Sequence, residues 1–254
     1  MNLIVLIYAA MAGLAAGSFL NVVIYRLPLG RSVVRPRSSC PGCGRPIPWN
    51  ENIPVAGYLF LKGRCRKCGM RISPRYPAVE LAGMALAVVA VRRFGFGVDA
   101  LFAYAFLMAL LAITFIDWEH RIIPDQISLP FILLGIAWSV LSPRITLQSS
   151  ALGAFAGGGG LWLTGAVYRL IRKTEGMGGG DVKLMAMIGA FLGINLVLPV
   201  IIIASFFGSL YGLYLVRKGG RGKTAVAFGS FLAPAAAVCV LFGPRILDWY
   251  FGRF

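Results

Sequence analysis

Long apolar runs alternate with short polar connections along almost the whole chain. The runs 3–25, 77–93, 99–116, 127–141, 149–171, 182–193, 195–216 and 226–250 carry hardly any charge. In hydrocarbon every backbone N–H and C=O must be satisfied within the spanning structure, and runs of this length and composition do so as α-helices. The pattern predicts an all-α polytopic membrane protein of about eight transmembrane helices. The runs 127–141 and 182–193 are short for a hydrocarbon layer about 30 Å thick, so one is expected to be tilted, half-buried or lengthened by polar ends. The first run lacks a basic leader region and a small-residue cleavage site and reads as a retained span.

One long polar segment breaks the alternation. The chain therefore divides into a first helix (1–25), a cysteine-bearing loop domain (26–76) and a membrane domain of about seven helices (77–254). With 58% hydrophobic residues, 13% charged residues and a mean hydropathy of +0.79, a soluble domain is excluded. The net charge of +16 would suggest nucleic acid in a soluble chain. Here no nucleic-acid-binding motif accompanies it, and no such partner is expected. The basic residues crowd the ends of spans, where they set orientation and touch anionic lipid headgroups. Placing 26–76 in the cytoplasm gathers 20 of the 25 Lys and Arg residues on that side. Both termini are then expected outside.

The polar segment carries C-x-x-C twice, Cys40/Cys43 and Cys65/Cys68, with Gly44 and Gly69 following the pairs. Two such knuckles can present four thiolates to one tetrahedral Zn²⁺. Disulfides or reduced free thiols are the alternatives, and disulfides are disfavoured in a reducing cytoplasm. A segment of about 50 residues holds little core of its own, which also favours a metal staple. Cys239 lies inside the last span and reads as a packed residue.

The nine acids are the most informative feature. Glu51 lies in the cysteine-bearing segment, Glu80 starts the second span, Asp99 and Asp248 sit near outer boundaries, and Glu175 is in a cytoplasmic loop. Asp117, Glu119 and Asp125 cluster in "FIDWEHRIIPDQISLP", and Asp181 ends the glycine run of "EGMGGGDVKL". A carboxylate at a membrane span is costly and needs a role. By topology Asp117 and Asp181 lie at similar depth on one face. Two facing carboxylates can activate water and polarise a carbonyl together. Each could instead cap a helix or pair with an arginine. Two acids and a glycine-broken short helix also fit a transporter using them as ion or proton sites. His120 lies close to Asp117, yet no nucleophile elbow surrounds Ser18 or Ser128, so a Ser-His-Asp site is not expected.

These residues carry a resemblance. "GMGGGDVKL" resembles the G-x-G-D signature of membrane aspartyl proteases, and "FIDWEHRIIPDQISLP" the first-aspartate motif of the type IV prepilin leader peptidase/N-methyltransferase family. "GSFLNVVIYRLP", the two C-x-x-C pairs, "ENIPVAGYLFLKGRC" and "ISPRYPAVE" resemble that family's amino-terminal region. The resemblance implies that Asp117 and Asp181 are the catalytic dyad and gives Asp125 no chemistry. It implies cleavage of basic leaders from prepilins and pseudopilins after a glycine, at the cytoplasmic face of the bacterial inner membrane. It further implies N-methylation of the new terminus, with S-adenosylmethionine as donor. No Gly-rich cofactor loop following a strand marks where that donor binds.

Within the dyad, Asp181 opens a helix, where the amino-terminal dipole favours a carboxylate. Asp117 closes a span, where helix carbonyls favour a proton if the helix stops there. The expected roles are Asp181 as base and Asp117 as proton donor.

Overall fold

The computed structural model describes residues 2–174, 178–218, 227–250 and 252. The expectations placed on Glu175 and on Gly176 and Met177 of the glycine run, and the basic residues Arg221, Lys223 and Arg253, lie outside the described residues. The described residues form nine α-helices: α1 (Leu3–Arg26), α2 (Ala56–Phe60), α3 (Arg75–Phe94), α4 (Val98–His120), α5 (Asp125–Leu141), α6 (Leu147–Arg172), α7 (Gly179–Leu192), α8 (Ile194–Arg217) and α9 (Gly229–Tyr250). The described residues hold two isolated β-bridges besides, Ser39 with Pro46 and Arg64 with Arg71, both in the cysteine-bearing segment.

Each of the eight predicted apolar runs is a helix, but eight helices are not eight self-sufficient spans. α1, α4, α8 and α9 are long and apolar enough to cross a membrane, and α5 is apolar but only 17 residues long. α3 carries Arg75, Glu80, Arg92 and Arg93. α7 has 14 residues, yet Leu184, Met185, Met187, Ile188, Ala190 and Phe191 are all buried. A short helix shielded on every side has no need to match the bilayer.

The chain falls into two compact units, Met1–Tyr104 and Ala105–Phe254. In the first, α1 packs against α3 through backbone. A Cβ on Gly13 would lie 2.7 Å from the Gly83 oxygen, and one on Gly17 would lie 2.7 Å from the Glu80 Cα. Small residues at such crossings let helices approach where no hydrophobic effect drives them together. Between them, residues 27–74 bury only Cys40 and Gly57.

In the second unit α7 is the hub, with α5, α6, α8 and α9 around it. α6 and α7 meet at Gly153 and Gly189, where a Cβ on either would collide with the other's backbone. Ser150 Oγ adds a hydrogen bond to the Ala190 oxygen at 2.7 Å. Of the four glycines 157–160, Gly157 and Gly158 pack closely against Met185 and Ala186, whereas Gly159 and Gly160 face open space. Phe106 stacks on Phe191 at 4.1 Å, which anchors α4 beside α7.

Candidate active site and metal centre

α4 does not end at residue 116. It continues through Asp117, Trp118 and Glu119 to His120, and stops where Arg121 turns into the left-handed region at φ 56°. The Arg121 amide hydrogen-bonds the Asp117 oxygen at 2.8 Å, which closes the last turn. Asp117 is thereby fixed on a helix wall, 4% exposed. The residues that follow, Arg121–Pro124, turn the chain into α5.

The amino terminus of α9 reaches the same point. Asp117 Oδ2 accepts the Ser230 backbone N–H at 2.6 Å and the Ser230 hydroxyl at 2.9 Å. A helix's first turn offers unpaired N–H groups and partial positive charge, which suits a carboxylate. Gly229 precedes it, and a Cβ there would stand 2.9 Å from Asp117 Oδ2 and 2.7 Å from Ile123 Cδ1. No other side chain fits without pushing the carboxylate aside.

Asp181 sits in the first turn of α7, half-buried, with its amide bonded to the Gly178 oxygen at 3.1 Å. The backbone amides of Gly178 and Gly229 and the Asp117 carboxylate lie near its carboxylate. The α9 terminus thus serves both acids, Ser230 holding Asp117 and Gly229 facing Asp181. Of the glycines before Asp181, Gly180 is closely packed, since a Cβ there would lie 3.0 Å from Ile123 Cβ, whereas Gly179 has open space.

This geometry corrects the expected roles. They required Asp117 to face the bare carbonyls of a helix end. The helix runs on to His120, and the Asp117 oxygen faces donors instead. The premise for making Asp117 the proton donor is gone.

The neighbouring polar residues are otherwise engaged. Asp125 pairs with Lys183, which reaches both carboxylate oxygens at 2.8 Å. Ser128 Oγ is bonded to its own helix at the Pro124 oxygen. His120 is exposed. Sequence reasoning missed Ser230 and Gly229. Their one signal is a Gly-Ser pair opening an apolar helix on the side where the acids lie.

In the amino-terminal unit the four cysteines converge, with their Sγ atoms all within 4.8 Å of one another. Cys40 and Cys68 are 3.7 Å apart, and Cys43 and Cys65 are 4.0 Å apart. A disulfide needs about 2.05 Å, whereas Zn–S bonds of about 2.3 Å place tetrahedral sulfurs about 3.8 Å apart. The knuckles share one construction. Gly44 N–H bonds the Cys40 oxygen and Gly69 N–H the Cys65 oxygen, both at 2.9 Å, with the glycines at φ 68° and 71°. Glu51 bridges the knuckles through Arg45 at 3.0 Å and Arg66 at 3.6 Å. Cys239 is buried in α9, as a packed residue would be.

Residues 11–94 match the Bacterial Peptidase A24 N-terminal domain, and residues 104–213 match the Type IV leader peptidase family. A prepilin leader peptidase/N-methyltransferase of Aeromonas salmonicida (strain A449) is 37% identical over 264 residues, covering 93% of this chain and 90% of that protein. The chain belongs to the type IV leader peptidase family. A relative of the same description from Pseudomonas putida is 38% identical over 94% of this chain and 91% of its own, and one from Dichelobacter nodosus 36% over 94% and 92%. No solved structure matches the peptidase. Membership on this scale sets aside the transporter reading of the two aspartates.

Proposed function

We propose that the peptidase removes the basic leader of type IV prepilins and pseudopilins after a glycine, with Asp117 and Asp181 as its dyad. The observation that supports this most is the α9 terminus, which holds two carboxylates together with backbone and hydroxyl donors. A water between the acids loses a proton to one carboxylate as its oxygen attacks the scissile carbonyl. The other carboxyl donates a hydrogen bond to the developing oxyanion, and the departing amine takes up a proton as the C–N bond breaks. Neither a metal nor a protein nucleophile is asked for. Ser230 fixes the Asp117 rotamer, so the reacting oxygens need little reorganisation.

The protein is read as a multi-pass component of the bacterial inner membrane, with both termini outside. The cysteine-bearing segment and both aspartates lie at the cytoplasmic face, against anionic headgroups, and nucleic acid is no partner. The division into 1–25, 26–76 and 77–254 is kept as a functional one, although contacts group α3 with α1. Cys40, Cys43, Cys65 and Cys68 would hold a structural Zn²⁺, since donor type, spacing and knuckle glycines agree.

The second activity is N-methylation of the new amino terminus. S-adenosylmethionine supplies an electrophilic methyl group, which the neutral amine accepts while the donor sulfur keeps the bonding pair. The test is incubation of purified protein with a prepilin, followed by intact mass. Leader loss and an added methyl group are the expected changes, and an unaltered substrate overturns the reading.

A further inference from the structure

A glycine precedes each anchor of the dyad, and one side chain fills the space that both leave. Gly180 stands just before Asp181, and Gly229 just before Ser230, whose amide and hydroxyl hold Asp117. The atoms nearest to a Cβ built on Gly180 all belong to Ile123: its Cβ at 3.0 Å, Cγ1 at 3.4 Å and Cδ1 at 3.5 Å. A Cβ on Gly229 would lie 2.7 Å from Ile123 Cδ1 and 2.9 Å from Asp117 Oδ2. The Ile123 side chain therefore occupies the side-chain space of both glycines and ends, at Cδ1, beside the Asp117 carboxylate. It forms an apolar wall against the dyad.

That wall is held from both ends. Just upstream, Arg121 lies in the left-handed region at φ 56°, with its amide on the Asp117 oxygen at 2.8 Å. The turn brings the chain from the acid back beside it. Just downstream, Pro124 restricts the residue before it to extended backbone. Pro124 is buried, and its oxygen accepts the Ile127 and Ser128 amides, each at 3.1 Å, and the Ser128 hydroxyl at 3.3 Å. These bonds fix it to the start of α5. Ile123 is itself half-buried, so part of its side chain faces whatever enters the site. Its branch at Cβ makes χ1 stiff, and the wall gives way little.

For a peptide to be hydrolysed, its scissile carbonyl must come between the two acids. The side chain nearest to that carbon belongs to the residue supplying the carbonyl, since its Cβ is a bond closer than that of the residue on the leaving side. A wall beside the carboxylates acts first on that side chain. We propose that Ile123 is the specificity-determining residue for the acyl side of the scissile bond. It fills the space toward which a Cβ there would point, so glycine is accepted and alanine is disfavoured. The proposal rests on the reading above of a dyad that cuts after a glycine, and assigns that preference to one side chain.

The test is competitive cleavage of two prepilins by the full chain in detergent, one with glycine before the scissile bond and one with alanine there. Intact mass locates the cut. Wild type is expected to favour glycine about tenfold or more in kcat/KM. Ile123→Ala should bring that ratio to within about threefold, and Ile123→Val, which removes only Cδ1, should fall between. Each ratio is taken within one protein, so a lower overall rate or folded fraction cancels. Ile123→Val keeps the branch at Cβ and carries the test if Ile123→Ala fails to fold. Equal cleavage of both substrates by wild type overturns the proposal. So does a ratio that stays at the wild-type value while both rates fall together, which is what a packing residue would give. Cleavage of the glycine substrate by wild type upholds the peptidase reading in either case. A glycine substrate left uncut by wild type overturns that reading, and this assignment with it.

Discussion

Ser230 gives both its backbone N–H and its hydroxyl to one oxygen of Asp117, at 2.6 and 2.9 Å. That oxygen has its in-plane acceptor positions filled. Whatever proton the dyad shares must therefore sit on the other Asp117 oxygen or on Asp181, and those atoms are the ones left to face substrate. A helix terminus has turned a flexible carboxylate into one with a defined working edge.

Loss of either acid should abolish cleavage. Asp117→Ala and Asp181→Asn are each expected to lower the single-turnover rate about 10³-fold or more. Asp125→Ala should stay within about fivefold of wild type, because its partner Lys183 is an exposed ion pair worth little. A gel-shift time course on a prepilin reads all three. Rapid turnover by the Asp181→Asn protein would remove the dyad.

Ser230→Ala keeps the backbone donor and removes the hydroxyl. The expected cost is about tenfold in kcat with little change in KM, the pattern of a positioning residue whose contact matters most as the oxyanion forms. Gly229→Ala should cost more, since its Cβ meets Asp117 Oδ2 at 2.9 Å and that atom is pinned from behind by Ser230. Thermal melts in detergent should leave both variants folded. If Gly229→Ala lost stability and activity in proportion, the contact would be merely structural.

The α6–α7 crossing carries the next expectation. Gly153 and Gly189 pack backbone on backbone, and α7 holds Asp181 one end away. Gly189→Ala forces the helices apart, at a cost of about 1–3 kcal/mol. Gly159→Ala, which faces open space on α6, is expected to be neutral or slightly stabilising. Comparing their melting temperatures checks the pair, and equal effects would contradict it.

These sites differ in how far the sequence disclosed them. The helix order was readable because lipid demands long apolar runs, and α1 was expected within a residue of its observed end. The cysteine cluster was readable because two C-x-x-C knuckles with trailing glycines admit one closed geometry. The end of α4 was not, since the polar residues of "DWEH" mark a membrane boundary, whereas the helix obeys its hydrogen bonds and stops only at Arg121. Nor was the start of α7: glycine's poor helix propensity hid Gly179 and Gly180. Ser230 was invisible for a deeper reason. Its role depends on a contact across 113 positions, and no local pattern encodes that.

Metal occupancy should depend on pH with a definite sign. One Zn²⁺ per chain is expected, and chelation should expose the segment 27–74, which has little buried core, to hydrogen exchange. Metal binds thiolates, so each cysteine still protonated must release its proton on binding. The Cys68 and Lys67 amides draw Cys65 down to about 6, so it is ionised at neutral pH. Cys68 differs: the Met70 amide pulls it down, but lost water contact and hydrogen bonds shared with Cys65, Cys40 and Cys43 outweigh that and push it up to about 11. Through the neutral range, binding therefore costs at least the Cys68 proton, and affinity rises with pH. Below about 6 the Cys65 proton must leave as well. The logarithm of affinity should then fall more steeply, the added slope being about one proton. Competition against a chromophoric chelator, across the range from mildly acidic to mildly basic, measures both limbs. A slope that did not change near pH 6 would contradict the lowered Cys65 titration, and Cys65→Ser should abolish the break while Cys239→Ser leaves it in place.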